Sequence, residues 1–377
     1  IVAWQSVVAA SRDYDTTLVS LVPPGEEALP LPEEFVSRGV RVERVPHRPP
    51  AVIPSAWRGL FGRWPYTLER YRNPDLPGVL RRLVAETRPR FALVNHLHMA
   101  TYFEDLGDTP IVLREHNLEH VWMKRYAERL GLMPAGLYAR TQVGRLRRAE
   151  AALARKAALV LAVQHEEAKE LSSMAPGTRV EVLPVGVDLS KYPEPYPGEP
   201  PVVLLAGSFA WAPNVDGAIR FMRQGWPIVK ARVPSAKLRV VGKDPPSSLR
   251  RAADRIGVEL VANVPSMVEE MAKATVFVVP LWVGAGVRVK IVEAMAARVP
   301  VASTRLGAEG LELMPNEDYA AGDTPGELGG QVATLILTSE LRNLFQQRGR
   351  AVAERRWGLD AIVEAQNSLC ASVAAVR

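Results

Sequence analysis

The stretch from Ala274 to Gly310 constrains this chain more than any other. Its apolar, β-branched opening, Ala274 to Leu281, is long enough for a strand buried on both faces. A loop with no bulky side chain follows, Gly284-Ala285-Gly286, and a helical pattern then starts near Arg288 and runs through Lys290, Glu293 and Met295. A second buried strand, Val299 to Ser303, closes the unit. Strand, loop, helix and strand in that order belong to a parallel sheet. The loop falls at the carboxyl end of a strand and the amino end of a helix, where open α/β sheets bind ligands.

Free amides and the positive end of the helix dipole favour a phosphate at such a place. Glycine pairs also serve as plain tight turns, and spacing alone does not choose between the two. The charges beside the loop do more. Arg288 and Lys290 are expected in the first helical turn, where cations oppose the dipole. An anion held between them and the amides accounts for that placement. Glu293, about a turn further on, is within reach of sugar hydroxyls. Together these residues point to a nucleotide diphosphate with a sugar attached.

A chain of 377 residues divides into two or three domains. Its net charge of +6 is mild, and residues 1–188 carry 25 Lys/Arg against 22 Asp/Glu, so both halves share it. That argues against a dedicated nucleic-acid domain. A lone cysteine, Cys370, excludes an internal disulfide and a multi-cysteine metal site and fits a reducing, cytoplasmic compartment. No apolar run reaches membrane-spanning length, and no signal peptide is evident.

Residues 1–15 read as a helix leading to a strand, Thr16 to Val22. A doubly wound domain normally opens on a strand and a glycine-rich turn, so a first strand and loop are expected to be missing from this sequence. A segment rich in Pro, Arg and Trp follows over 46–65, and eight arginines against three acids lie between Arg58 and Arg90. With Trp57, Phe61 and Trp64 it reads either as an interfacial anchor for an anionic lipid or as a solvated helix packing its aromatics inward. The inward packing is the expectation. Strands and helices then alternate, with Asn95-His96-Leu97-His98 and Glu115-His116-Asn117 each following a strand. His96 and His98 share one face if the first of these strands continues through them and diverge if it ends at Asn95, and no third ligand for a metal is evident. His120 and His165 read as surface residues, and Glu309 either lines the ligand site or sits in a plain turn.

Five prolines within Leu189 to Pro201 mark a linker. The second half restarts with a strand, Val202 to Ala206, and the loop Gly207 to Pro213. Domains are therefore expected over 1–188 and 201–357, joined by a hinge at 189–200, with a last helix, 358–377, packing back on the first. Each half reads as a Rossmann-like α/β domain with a parallel sheet.

Several of these stretches resemble the retaining enzymes of glycosyltransferase family 4, which have the GT-B architecture. They are GAGVRVKIVEAMAARVPVAST with GAEG after it, VLPVGVD, GSFAWAPNVDGAIRF and LREHN. The resemblance covers essentially the whole chain. It implies two Rossmann-like domains facing across a cleft, the first binding an acceptor and the second a nucleotide-sugar. The family signature is two glutamates eight positions apart. Glu293 matches the second, which holds the ribose, while Ala285 stands in place of the first. The amides of Gly284, Ala285, Gly286 and Val287 are expected to replace that carboxylate, with Arg288 and Lys290 at the phosphates. The family's basic pair after the first strand of the second half is absent as well, and Gly207 and Ser208 occupy its place in the donor site.

His116 matches the active-site histidine. What the resemblance implies is metal-independent transfer, with Lys290, Glu293 and His116 as the acting side chains, no metal site and no cofactor. The donor is expected to be a UDP- or GDP-sugar. The acceptor is a glycan, a lipid-linked glycan or a small molecule, at the cytoplasmic face of a membrane with peripheral association and no nucleic acid. A nucleotide-sugar epimerase or hydrolase, or a degenerate nucleotide-binding partner subunit, is the alternative that Ala285 and the missing basic pair leave open.

Overall fold

The computed structural model describes residues 2–284 and 288–375. The chain forms two compact units, residues 1–186 with 360–377 and residues 187–359. Both are mixed α/β with parallel sheets.

In the first unit, strands β1 (Thr17–Val22) and β2 (Arg41–Pro46) pair in a two-stranded parallel sheet. A separate sheet of four parallel strands runs in chain order through β3 (Ala92–Asn95), β4 (Ile111–Arg114), β5 (Leu159–Ala162) and β6 (Val180–Val182). Every residue of β4 and β5 is buried, Arg114 at the end of β4 included, as the apolar runs over 111–113 and Leu159–Ala162 require of strands covered on both faces. The C-terminal helix, Leu359–Ala374, supplies part of that cover. Its Cys370 and Val373 pack with Val112, Leu159, Leu161 and Leu183. Its Asn367 amide donates to the carbonyl of Ala9 and to Asp13, and Gln366 donates to the carbonyl of Ser6, so it also holds the helix Val2–Asp13.

The segment 46–65 does not pack as expected. A helix, Val52–Phe61, forms there, but Trp57 and Phe61 stack on each other and are 63% and 77% exposed. Only Trp64 turns inward, into the core with Leu68 and Leu97. The helix instead buries Ser55 and Gly59, because Tyr66 and Tyr138 press against the Gly59 backbone too closely for a side chain.

In the second unit six parallel strands form one sheet: β7 (Val202–Ser208), β8 (Lys237–Lys243), β9 (Glu259–Ala262), β10 (Val276–Val279), β11 (Val301–Ser303) and β12 (Ala320–Ala321). Their order is β12-β11-β10-β7-β8-β9, the doubly wound arrangement in which the chain reverses direction of travel at its first strand. Along β10, Phe277 and Val279 enter one core while Val276 and Val278 enter the other. Alternation of period two thus feeds a core on each face of the sheet.

The loop expected over Gly207 to Pro213 ends sooner, because a helix begins at Ala212 and continues through a π turn, Phe221–Gly225, to Arg232. The proline-rich run is not a free tether. Tyr196 donates its N–H to the carbonyl of Ala272 and its hydroxyl to Glu269, and Glu194 pairs with Arg298. Where the chain passes between units, Val187 donates to the carbonyl of Trp357 at 2.7 Å and accepts from Leu359 at 3.1 Å.

Candidate active site

The second unit's switch point lies between β7 and β10, which pair through Val203 with Val276 and Leu204 with Phe277. Strands on either side lead away in opposite directions, which opens a crevice at their carboxyl ends. The candidate donor residues gather there. Lys290, on the helix Val289–Ala296, reaches back to donate to the carbonyl of Ala206 and to Asn214 Oδ1, both at 3.2 Å. Asn214 in turn donates to the carbonyl of Ser208 at 2.8 Å. The end of β7, with Gly207 and Ser208, is therefore tied to the helix after β10 through one amide side chain. A side chain at Gly207 would meet that amide at 2.9 Å.

Burial pushes Lys290 down to about 7, and the charge of Arg288 adds to the effect. Arg288 does not lie in the first helical turn. Its φ of −92° and ψ of 75° are outside the helical range, so it caps the helix from just before it. Its guanidinium lies over the Trp211 ring, 5.2 Å from the centroid. Gly284 has a φ of +140°, and a Cβ there would come within 2.7 Å of Trp211 and 2.9 Å of Arg288. Only glycine fits.

Glu293 is half-buried on the same helix, and burial raises its pKa above the usual carboxylate value. It interacts electrostatically with Tyr192, from the proline-rich run, whose hydroxyl is pushed up by burial first and Glu293 second. Ala285, Gly286 and Val287 lie outside the described residues. Glu309 sits half-buried in the turns after β11. Asn214, Trp211 and Tyr192 were missed in the sequence. The first two stand within the Gly207–Phe221 stretch that carries part of the family resemblance, which was the available signal.

The first unit gathers a second set of groups at the ends of β3 and β4. His116, two residues past β4, has its Nε2 buried and without a hydrogen-bond partner among the described residues. Burial, then His96 and Arg114, push it down to about 3, so the ring is neutral at ordinary pH. The His96 ring lies 5.0 Å from that of His116 and 4.2 Å from that of His98. Strand β3 ends at Asn95, yet His96 and His98 do not diverge. His96 takes φ 77° and ψ 137°, a sparsely populated conformation for a residue with a side chain, before a 3-10 helix over Leu97–Leu106. That bend brings the two rings together.

Beneath them lie buried carboxyl groups that the sequence did not single out. Glu115 is fully enclosed at the end of β4, and burial, with Glu150, Glu119 and Glu167 nearby, holds it well above the carboxylate range. Glu119 and Glu167 are raised to about 7, chiefly by burial. His120 is not a surface residue. It is 6% exposed and bonds Glu150, which also accepts the N–H of Glu119 at 2.6 Å. A helix start whose first amide is capped from the neighbouring helix, Pro134–Ala154, draws His120 inward. Tyr66, Thr67, Arg70, Tyr71, Asn117 and Trp122 surround a pocket of about 310 Å³ to which His98 and Glu119 also contribute.

Two α/β units with parallel sheets, the second doubly wound with a lysine, a capping arginine and a glycine at its switch point, have the fold of the GT-B glycosyltransferase class. A family model described as Glycosyltransferase Family 4 matches residues 9–191, and one described as Glycosyl transferases group 1 matches residues 200–336. The chain belongs to these group 1, family 4-like glycosyltransferases, as its sequence motifs led one to expect.

Solved structures share the fold. Sucrose-phosphate synthase from Thermosynechococcus elongatus superposes with a TM-score of 0.76 at 15% identity, over 100% of this chain and 93% of that one. HepE of Anabaena in complex with UDP does so with a TM-score of 0.65 at 15% identity, over 98% and 95%. An α,α-trehalose-phosphate synthase (UDP-forming) from Burkholderia vietnamiensis gives 0.65 at 12% identity, over 98% of each chain. A comparison with curated proteins finds no match. Among the described residues, no helix is long and apolar enough to cross a membrane.

Proposed function

We propose that this glycosyltransferase moves a sugar, with retention of configuration, from a UDP-sugar to a hydroxyl of a glycan or lipid-linked acceptor. The observation that carries the donor side is the gathering of Lys290, Asn214, Arg288 and Gly284 at the switch point of the second unit. A diphosphate arriving there meets a lysine that burial holds near the edge of losing its charge, so the anion and the ammonium stabilise each other in a site sheltered from water. Stabilising the departing diphosphate is then the main electrostatic contribution to transfer. Arg288 and the amides of 284–287 assist, and Glu293 orients the ribose. UDP is preferred over GDP because HepE of Anabaena has been solved with UDP and with UDP-glucose.

In this reading the first unit holds the acceptor, and His116 supplies a neutral ring that donates a hydrogen bond to a sugar hydroxyl. Its Nε2, buried and without a hydrogen-bond partner among the described residues, supports that role. The exposed helix Val52–Phe61 supports peripheral attachment to an anionic membrane. Val52, Ile53, Trp57 and Phe61 all face solvent. So do Leu132, Met133 and Leu137, and the intervening helices are joined by the Tyr138 hydroxyl donating to the carbonyl of Ala56. Apolar and aromatic side chains beside Arg58 and Arg63 suit the headgroup boundary.

A thermal-shift screen with UDP, GDP, ADP and TDP, with and without EDTA, tests the donor reading. A selective rise in melting temperature with UDP, lost in Glu293→Ala, is the expected result. No rise with any of the four sinks it. Product analysis by NMR, following the anomeric signal of the new linkage, decides retention.

A further inference from the structure

We propose that His96, His98 and Glu119 form a binding site for one divalent transition-metal ion, Zn²⁺ in the first instance, at the wall of the pocket in the first unit. These three side chains each place a ligand atom within 4.8 Å of the other two. His96 Nε2 and Glu119 Oε1 are 3.7 Å apart, and the Nδ1 atoms of His96 and His98 are 2.5 Å apart. Two nitrogens on a tetrahedral zinc, with bonds of about 2.0–2.1 Å, stand roughly 3.3 Å from each other. These distances run to opposite nitrogens of His96, of which one ion can take only one; with Nε2 facing Glu119, the His98 ring turns from its contact with His96 Nδ1 to share the ion. Two imidazoles and one carboxylate are the donor set of open zinc sites, which keep a fourth position for water or a substrate oxygen. Here His98 and Glu119 also line the pocket of about 310 Å³, so the ion has an entry path and the fourth position an occupant.

Three features around the cluster fit a ligand site better than a chance meeting of polar groups. First, the ligands are held. The carboxylate of Glu119 accepts from Asn117 Nδ2 at 2.9 Å, and its N–H donates to Glu150 at 2.6 Å. Outer partners of this kind fix ligand orientation. Tyr71 packs on the other side of His98, with ring centroids 4.3 Å apart. Second, the backbone of His96 is bent into a conformation of φ 77° and ψ 137°. Such strain persists where something outweighs its cost, and it is this bend that turns both rings to one place. Third, His98 and Glu119 are 8% and 7% exposed, so the site is sheltered rather than a loose surface cluster. The site shares no residue with the donor site, and the proposal does not depend on the assignment of the donor residues to UDP.

The test is metal binding by this chain without nucleotide. The protein is stripped with chelator, titrated with Zn²⁺ by calorimetry, and passed through gel filtration before its zinc is measured by mass spectrometry. One Zn²⁺ per chain is expected, and Co²⁺ in its place is expected to give the visible absorption of a four-coordinate ion. Losing an outer-shell partner costs about 10- to 100-fold in affinity, so Asn117→Ala should fall in that range. His98→Ala and Glu119→Gln should each lose more than about 100-fold, beyond the outer-shell range. His165→Ala, on the exposed start of another helix, should bind as the parent does. Circular dichroism checks that each variant is folded, and the isosteric Glu119→Gln covers the case in which His98→Ala is not. Retention of no zinc by the parent overturns the proposal and leaves the histidines as a hydrogen-bonded pair. Zinc retained equally by His98→Ala and Glu119→Gln also overturns it, since the ion then lies elsewhere. The UDP screen is run separately with EDTA, so either result can fail without the other.

Discussion

On the proposed donor reading, Lys290 makes nucleotide binding dependent on pH in a direction that its surroundings fix. Burial lowers its pKa from 10.5 to about 7, with Arg288 contributing. The folded protein without ligand therefore sheds this proton between about pH 7 and 10.5, a window in which the unfolded chain still holds it. Stability of the unliganded protein accordingly rises with pH across that window through this group. A diphosphate reverses the shift, since an adjacent anion favours the charged ammonium. Binding then takes up a proton whenever the free enzyme has lost it.

At pH 7 about half of the free enzyme carries the charge, and at pH 9 about one part in a hundred. If the bound form stays charged throughout, affinity for UDP falls about 50-fold between these values, or about 2.3 kcal/mol. Proton uptake rises from about one half to about one per UDP. A phosphate's own second ionisation, with a pKa of about 6, is nearly complete at pH 7 and disturbs the comparison little. Calorimetry at pH 7 and 9, each in two buffers of different ionisation enthalpy, measures affinity and uptake together. Lys290→Met should bind more weakly and lose almost all of the pH dependence. Equal affinity at the two pH values, or the same decline in Lys290→Met, refutes the assignment of Lys290 to the diphosphate.

Replacing Gly217 by Ala should destabilise the second unit by about 3 kcal/mol, because the new Cβ would stand 1.9 Å from the carbonyl oxygen of Pro280 and the helix Ala212–Arg220 would have to move. Urea unfolding checks this, and a change below about 0.5 kcal/mol would show that the close approach is easily relieved. His120→Ala should cost about 3 kcal/mol in the same assay, since it leaves Glu150, which is fully buried, without its ring partner. By contrast, Trp57→Ser with Phe61→Ser should leave stability within about 0.5 kcal/mol, as both side chains are exposed. The same double variant should lose co-sedimentation with phosphatidylglycerol vesicles. Vesicle binding undiminished in that variant would remove the membrane role from this helix.

Much of the fold was legible because its strands announce themselves. β5 is apolar at every position, β4 at all but its final Arg114, and the run through β10 could only be a strand covered twice. The helix after β10 followed from charge and order along the chain, and so did the family. All of these are local properties, set by neighbours a few residues apart. Their limits were local too. Arg288 was expected inside a helix that it caps, because the turn at a helix start depends on backbone angles that a composition pattern does not carry.

What only the tertiary structure decided were meetings between distant segments. Lys290 finds Asn214 because β7 and β10 are adjacent in the sheet although far apart in the chain. His120 is buried because Glu150 comes to it from another helix, and nothing in the hydropathy around either residue foretells it. Trp57 and Phe61 face outward because Gly59 takes the buried side of their helix. His96 and His98 converge with Glu119 because one residue bends the chain at the end of β3. A sequence specifies periodicity and charge residue by residue, whereas long-range contact is fixed only when the sheet order and the packing of its faces are. That is why the elements could be read from the chain, and why the partners of their side chains could not.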